Sequence, residues 1–329
     1  MSVPTSCPFS SPLLDDLLAF CGRNAIARPD AAYLRPGDVA WRLPLHHLPT
    51  LGEVRWLRVW FDAEGIAGYA WFEPPTGVEL DLRSDLDWDG EVGNALLDWA
   101  ETKRQQAPAA YPWLVDVQDM KQWAAGVRQP PGTPHGGRWL TTLASDNDTD
   151  RLAALHRRGY ERTGHHAILY ARDLADPLPP PNLPASYRIR HTAEADIAAR
   201  VAVHRAAWVG SSWTIERYAA LRGSPAYDET LDLVVEAEPG RFAACCICWA
   251  DPISRSGSFE PVGTRPAFRG RGITRELIHE GFRRLGAKGM TIAHTETPGF
   301  NTPAQALYES SGFGRAGVRW TYMKEINGF

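Results

Sequence analysis

Five prolines fall within residues 176–184, and this segment constrains the fold of the chain more than any other. Proline fixes φ and lacks a backbone N–H, so such a run neither continues a helix nor joins the interior of a sheet. We therefore expect a stiff, extended linker over residues 176–186. It separates residues 1–175 from residues 187–329, and each part is long enough to form a domain.

The part before the linker repeats the part after it. Gly65–Pro74 resembles Arg241–Pro252 at an offset of 178 residues, and Leu155–Tyr160 resembles Tyr308–Phe313 at an offset of 153. The shorter second offset predicts extra residues in the first copy, which we place in Gln129–Gly137. The chain is therefore predicted to hold two copies of one fold.

The second copy has the clearer pattern of elements. Its hydrophobic periodicity predicts a strand, two helices, three strands, a helix, a strand, a helix and one or two closing strands. The best-defined helix is predicted over residues 272–288, where the apolar side chains form one stripe. This order is α+β, with a mixed central β-sheet flanked by helices, and we expect the first copy to share it.

Composition and charge argue against several classes of function. The net charge is −4, which gives no case for nucleic-acid binding. No apolar run is long enough to span a membrane, and the first eleven residues lack a signal-peptide pattern, so we expect a cytoplasmic protein. The cysteines at 245, 246 and 248 have no histidine-rich partner nearby; we expect buried, reduced thiols and no metal. The oligomeric state is left open.

The segment Arg269–Thr274, R-G-R-G-I-T, follows a predicted strand and opens the helix over 272–288. Backbone N–H groups at a helix N-terminus bind phosphate, and glycine lets the backbone come close to it. Seven basic and two acidic residues lie between Arg265 and Lys288. The segment is predicted to bind a pyrophosphate; the alternative is a glycine turn with a solvated basic face.

About thirty residues further on, Asn301–Phe313 carries the pattern N-x-x-A-x-x-L-Y-E-x-x-G-F. In this order and at this distance, the two segments resemble the GNAT superfamily of acyl-CoA-dependent N-acyltransferases. Thr274 departs from the glycine or alanine that ends the family's first motif. The resemblance implies two GNAT-like domains, acetyl-CoA as co-substrate and a primary amine of a small molecule as acceptor.

The resemblance also implies roles for single residues. Tyr308 would protonate the leaving thiolate, and Glu260 is the best candidate for the base, with His294 and Glu296 as weaker candidates. The alternatives are a packed aromatic at Tyr308 and a solvated carboxylate at Glu260. The residues implied to hold the co-substrate are Val262, Gly263, Thr264, Arg269, Gly270, Arg271, Gly272, Ile273, Thr274 and Asn301.

The first copy lacks these features. Leu155 and Asp148 stand where Tyr308 and Asn301 do, and residues 85–91 hold four carboxylates that would repel a pyrophosphate. The N-terminal copy is therefore predicted to be degenerate, and catalysis is assigned to residues 187–329. The predicted activity is that of an acyl-CoA-dependent N-acetyltransferase, an acyltransferase that moves groups other than aminoacyl groups. The alternative is a non-catalytic acyl-CoA-binding or sensor module.

Overall fold

The computed structural model describes residues 4–29, 33–46, 54–73, 76–107, 138–208 and 210–326. Within these ranges the helices and strands form two successive sets of ten, each in the order β-α-α-β-β-β-α-β-α-β. The predicted duplication and the α+β class are confirmed. The stretch Gln129–Gly137, where an insertion was predicted, lies outside the described residues.

The two sets differ little in the lengths of their elements. The first consists of β1 (Thr5–Phe9), α1 (Leu14–Ala27), α2 (Pro36–His46), β2 (Val54–Asp62), β3 (Gly65–Glu73), β4 (Gly77–Leu82), α3 (Glu91–Gln106), β5 (Trp139–Ser145), α4 (Thr149–Arg157) and β6 (Glu161–Asp173). The second consists of β7 (Arg188–His191), α5 (Ile197–Ala207), α6 (Ile215–Arg222), β8 (Asp232–Glu238), β9 (Arg241–Asp251), β10 (Ser256–Thr264), α7 (Ile273–Ala287), β11 (Ile292–Pro298), α8 (Thr302–Ser310) and β12 (Gly314–Glu325).

All of these strands form one sheet, in the order β1-β2-β3-β4-β5-β12-β6-β11-β10-β9-β8-β7. The last strands of the two halves are exchanged at its centre. Strand β6 lies between β11 and β12, and β12 lies between β5 and β6. Each half therefore completes its part of the sheet with the last strand of the other half.

Helix α7 covers one face of the second half. Its apolar stripe packs against β9 and β10 in a core that includes Leu277, Phe282, Cys246 and Cys248. The side chain of Cys245 points to the opposite face and joins a separate cluster, as strand alternation predicted. Cys7 is half-buried and the other four cysteines are buried; all five are free thiols.

Helix α2 of the first half packs on that opposite face of the second half. Gly37 approaches β9 so closely that a Cβ atom on it would lie 2.4 Å from the Trp249 ring. A Trp41–Trp213 ring contact at 4.8 Å joins α2 to the segment between α5 and α6. The first half thus covers part of the sheet that carries the predicted site.

The proline-rich segment contains no helix or strand between Asp173 and Arg188. It lies along α7, where the backbone N–H of Asn182 donates to a Glu276 carboxylate oxygen at 3.0 Å. The exact division into two domains at this linker stays a prediction. In the described part of the chain, no helix is long and apolar enough to cross a membrane.

Candidate active site

Strands β10 and β11 separate after a short paired stretch. They pair in parallel only from Ser256 to Ser258, opposite residues 292–294. Beyond that point β10 pairs with β9, and β11 pairs with β6. The result is a wedge-shaped gap between Phe259–Thr264 and Thr295–Pro298, with backbone groups along its edges that can pair with an extended ligand.

Strand β10 is irregular where it leaves β11. Its register with β9 shifts between Phe259 and Val262, so Glu260 and Pro261 form a bulge, as Pro261 predicted. The indole N–H of Trp249 donates to the carbonyl oxygen of Glu260 at 2.7 Å. This hydrogen bond fixes the bulge and the direction of the strand near the closed end of the gap.

Val262, Gly263 and Thr264 follow the bulge and pair with β9 on one edge only. In the described chain, no strand pairs with their other edge, which faces the gap. The Trp208 ring lies over Gly263, where a Cβ atom would come within 2.2 Å of it. Any larger residue would displace this ring, so glycine is required here by packing.

The segment Arg269–Thr274 links β10 to α7 at the open end of the gap. Gly270 and Gly272 have φ of +74° and +73°, a left-handed conformation that favours glycine. The first helical hydrogen bond runs from Glu276 N–H to Gly272 C=O, so the N–H groups of the preceding turn have no acceptor within the helix. The loop therefore leaves backbone N–H groups that an anion can accept from, and the predicted pyrophosphate contact stays a prediction.

Two arginines of this loop are held by neutral oxygens. Arg269 donates to the backbone carbonyls of Thr264 and Ala207, and Arg271 donates to the Tyr187 hydroxyl at 2.9 Å. Both side chains are exposed. Since these contacts leave the positive charges uncompensated, they are available to phosphate oxygens.

Ile273 and Thr274 are both buried at the start of α7. The Thr274 hydroxyl lies against the Thr264 hydroxyl, across the turn between β10 and α7. This contact fastens the loop to the strand. In this arrangement the hydroxyl of Thr274 is engaged by Thr264.

Tyr308 lies on α8 and is buried at the closed end of the gap. Its ring packs against Tyr170 and Phe313, at 5.6 and 5.8 Å between ring centres. Burial raises the pKa of its phenol well above the ordinary value; a hydrogen bond with Thr295 lowers it, and the charge of Glu260 raises it further. The phenol is thus brought close to β11 and to Glu260, and it is protonated at neutral pH.

Asn301 is the N-cap of α8. Its side chain accepts a hydrogen bond from the backbone N–H of Ala304 at 3.4 Å, which orients the helix that carries Tyr308. The structure therefore gives Asn301 a structural role. The predicted contact with the co-substrate is not tested by it.

A cleft opens from the gap on the α2 side of the sheet, and Glu260, His294 and Glu296 all line it. Burial lowers the pKa of His294 to about 3, helped by the charge of Arg35, so this imidazole is neutral at physiological pH. Glu296 forms an ion pair with Arg319 of β12. The structure thus brings the three candidate bases together.

The sequence reasoning missed the residues that close this cleft from the first half. Tyr33, Arg35 and Asp38 lie at the start of α2 and face β10 and β11 across the cleft. No local motif marks them, since Asp38 reads only as an acidic residue in a first helical turn. Their position follows from the packing of α2 on β9, which no short-range pattern predicts.

The equivalent gap in the first half is filled by protein. Strands β4 and β5 pair at Gly77 and Thr141 only, so they also separate. The Arg151 side chain of α4 lies between them, fully buried, and donates to Leu80 C=O at 2.7 Å and Thr142 Oγ1 at 2.9 Å. A guanidinium thus occupies the position that an extended ligand would need.

The comparisons with known proteins agree with this geometry. The family model described as Acetyltransferase (GNAT) family matches residues 200–313. A mycothiol acetyltransferase of Kineococcus radiotolerans is 29% identical over 187 residues, which cover 55% of this chain and 60% of that protein. A mycothiol acetyltransferase of Thermobispora bispora is 29% identical over 275 residues, which cover 79% of each protein. The chain thus spans about three fifths of the length of the first relative.

Solved structures show the same fold over the whole chain. The GCN5-related N-acetyltransferase from Sphaerobacter thermophilus is 20% identical with a TM-score of 0.59, and the match covers 100% of this chain and 98% of that one. A tandem GNAT protein from the clavulanic acid biosynthesis pathway is 13% identical with a TM-score of 0.57, over 99% of both chains. Residues 200–313 of this chain are therefore similar to the GNAT acetyltransferase family, and the chain as a whole has the fold of tandem GNAT proteins.

Proposed function

We propose that this protein is an N-acyltransferase that moves an acetyl group from acetyl-CoA to a primary amine of a small molecule, with the C-terminal half as the active one. The observation that carries the proposal is the gap between β10 and β11, because it has the glycine-containing turn Arg269–Thr274 at one end and Tyr308 and Glu260 at the other. A thioester lying in this gap would reach both side chains.

The reaction is direct attack of an uncharged amine on the thioester carbonyl carbon. A C–N bond forms, the C–S bond breaks, and the electron pair of that bond leaves with the sulfur. The amine loses one proton to Glu260, and the thiolate gains one from the Tyr308 phenol. Exchange with solvent then restores both side chains, so the products are an N-acetyl amine and free CoA-SH.

The chain offers two sets of donors to the co-substrate. The free edge of Val262–Thr264 would pair with the pantetheine amides, and an N–H beside the bulge would polarise the thioester carbonyl. The N–H groups of 270–274, with Arg269 and Arg271, would bind the pyrophosphate. These roles support one bound acetyl-CoA in the C-terminal half.

The relatives suggest a first acceptor to test. Two of them are mycothiol acetyltransferases, so we infer that the acceptor amine of mycothiol acetylation belongs in the first panel. The cleft beside Glu260 is the place for it, because it opens toward the base and is bounded by both halves.

Tyr308→Phe is expected to lower kcat by about 100-fold or more, because the leaving thiolate loses its proton donor, while acetyl-CoA affinity changes little. Arg271→Glu is expected to weaken acetyl-CoA binding about tenfold through charge reversal. Thiol release from acetyl-CoA across a panel of amines measures the first effect, and calorimetry with acetyl-CoA measures the second.

Tyr322→Phe serves as the matched control, because it removes a buried phenol in β12 whose ring packs against His156. It should keep normal turnover. Undiminished turnover in Tyr308→Phe would remove the acid role. Tight acetyl-CoA binding without thiol release for any amine would favour the non-catalytic binding module instead.

A further inference from the structure

The cleft beside Glu260 is also lined by a cation from the first half of the chain. Arg35 lies just before α2 of the first half, and its guanidinium faces β10 across the cleft. Its two hydrogen bonds are long and involve neutral oxygens, Ser256 Oγ and Pro29 C=O, both at 3.4 Å. Arg35 is therefore positioned by packing rather than by a strong partner.

Arg35 has no ion-pair partner among the residues that the structure describes. Among the described residues, no carboxylate oxygen lies within 4 Å of its guanidinium, whereas Arg42 of the same region pairs with Glu79 at 3.0 Å. Arg319, which shares the cleft, pairs with Glu296. Within the described ranges, Arg35 thus differs from Arg42 and Arg319 in carrying a charge without a direct counter-ion.

The nearest acidic groups do not supply that counter-ion. The Asp38 carboxylate accepts the backbone N–H of Arg35 at 2.7 Å and so caps the start of α2. Asp251 accepts from Ile253 and Ser254 in the turn after β9. Burial lowers the pKa of Arg35 to about 10. The Asp38 and Asp251 carboxylates act on Arg35 only through their electrostatic field, which raises that pKa. A partly buried cation in this setting is stabilised by an anion that binds to it.

The position of Arg35 relative to Glu260 sets the size of such a ligand. Arg35 contacts Ser256, and Glu260 lies four residues further along β10, so the Cα atoms of Ser256 and Glu260 are at most about 13 Å apart at a strand rise of about 3.3 Å. A molecule whose amine lies at Glu260 would therefore present its far end to Arg35. The intervening wall carries the neutral His294 ring.

The geometry points to Arg35 as a specificity residue that binds an anionic group, a carboxylate or a phosphate, at the end of the acceptor remote from its amine. This inference rests on the proposed acyl transfer. It gives the first half a direct part in acceptor binding, since Arg35 belongs to the copy that lost its own site. A guanidinium binds both anions through paired N–H donors, and an amide in the same position would not offer a charge.

The test compares linear primary amines of equal length that end in a carboxylate, a phosphate or a carboxamide, over a series of chain lengths. Thiol release from acetyl-CoA gives kcat/KM for each. With the unmodified protein, we expect the better anion to exceed the matched carboxamide by tenfold or more at one optimal length. The carboxylate and phosphate arms identify which anion is bound.

In Arg35→Gln, the ratio of kcat/KM for the anion over the carboxamide should fall to about one, mainly through KM. Arg35→Lys should retain part of the ratio, which would exclude misfolding as the cause. Arg205→Gln removes an exposed charge from α5 outside the cleft and should keep the full ratio.

An anion-to-carboxamide ratio near one at every length in the unmodified protein would overturn the inference, as would a ratio that survives Arg35→Gln. These outcomes differ from failure of the proposed function. That failure would appear as no thiol release with any amine, although calorimetry shows that acetyl-CoA is bound.

Discussion

At the scale of single residues, the site depends on side chains whose charge state is set by burial. Burial keeps Tyr308 protonated and lowers the pKa of His294, which makes this imidazole a weak base, and the proposed proton transfers are assigned to Tyr308 and Glu260. The same effect operates away from the cleft. His204 stacks between Trp208 and Trp213, at 4.4 and 4.3 Å between ring centres, and its Nδ1 contacts Ser211 Oγ at 2.8 Å.

His204 should make the protein less stable in mild acid. Burial and the charge of Arg200 lower its pKa from 6.5 to about 3, so between these values the unfolded chain binds a proton that the folded protein does not. The contribution is constant above pH 6.5 and is lost as the pH falls, by up to about 1.4 kcal/mol per pH unit. Urea unfolding at pH 7, 6 and 5 would measure this.

His204→Phe keeps a ring in the stack and removes the titrating group. Its free energy of unfolding should therefore decline less with acidification than that of the unmodified protein. His191→Phe, at an exposed position on β7, is the control and should keep the original slope. Equal slopes for the unmodified protein and His204→Phe would show that His204 binds its proton equally in the folded and unfolded states.

Sequence reasoning reached some of these residues and not others, for a physical reason. Gly270 and Gly272 are recognisable because the turn needs a left-handed backbone, and Tyr308 because a helix places it at fixed spacing from Asn301. Arg35 lies 225 residues before Glu260 and meets the cleft only through the packing of α2. No local pattern encodes such a contact.

At the scale of elements, the order of helices and strands was predictable and the pairing of strands was not. Periodicity and turn residues set where β10, α7 and β11 begin and end. The exchange of β6 and β12 depends on which edges remain open after both halves have formed. The exchange is thus a property of the assembled sheet. The sequence of either copy alone would assign its last strand to its own half.

The exchange predicts that residues 187–329 do not form a stable domain alone. Without β6, the facing edges of β11 and β12 lose their common partner, and exposed strand edges promote aggregation. A fragment of residues 161–329 restores β6 and is the matched control. We expect the shorter fragment to be less soluble and to unfold at lower temperature, as measured by circular dichroism.

A cooperative transition of residues 187–329 at the temperature of the full chain would contradict this expectation. It would mean that β12 can pair directly with β11 when β6 is absent. The experiment thus decides whether the strand exchange is required for the stability of the second half or only accompanies it.

At the scale of the whole molecule, the two similar halves differ in what lies in the equivalent gap between strands. In the second half the gap between β10 and β11 is lined by free backbone edges and leads to Tyr308. In the first half it holds Arg151, whose guanidinium lies 3.8 Å from the centre of the Tyr33 ring. One gap is therefore open and the other is filled by protein, and on the proposed function only the open one admits acetyl-CoA.

Calorimetry should accordingly find one acetyl-CoA per chain. Arg151→Ala should lower the free energy of unfolding by about 2 kcal/mol or more, because Leu80 C=O and Thr142 Oγ1 lose a buried donor. Arg157→Ala, at an exposed position on the same helix, should change it by about 1 kcal/mol at most. Two sites of similar affinity in the unmodified protein would refute the exclusion.

The strand exchange also determines what happens if the backbone is cut. The linker runs outside the sheet. Inside the sheet, the halves are joined by hydrogen bonds, because β6 pairs with β11 and β12, and β12 pairs with β5 and β6. A protease acting between 176 and 186 would leave two polypeptides interlocked as one particle. Their separation would require denaturant, and the particle would retain its cleft.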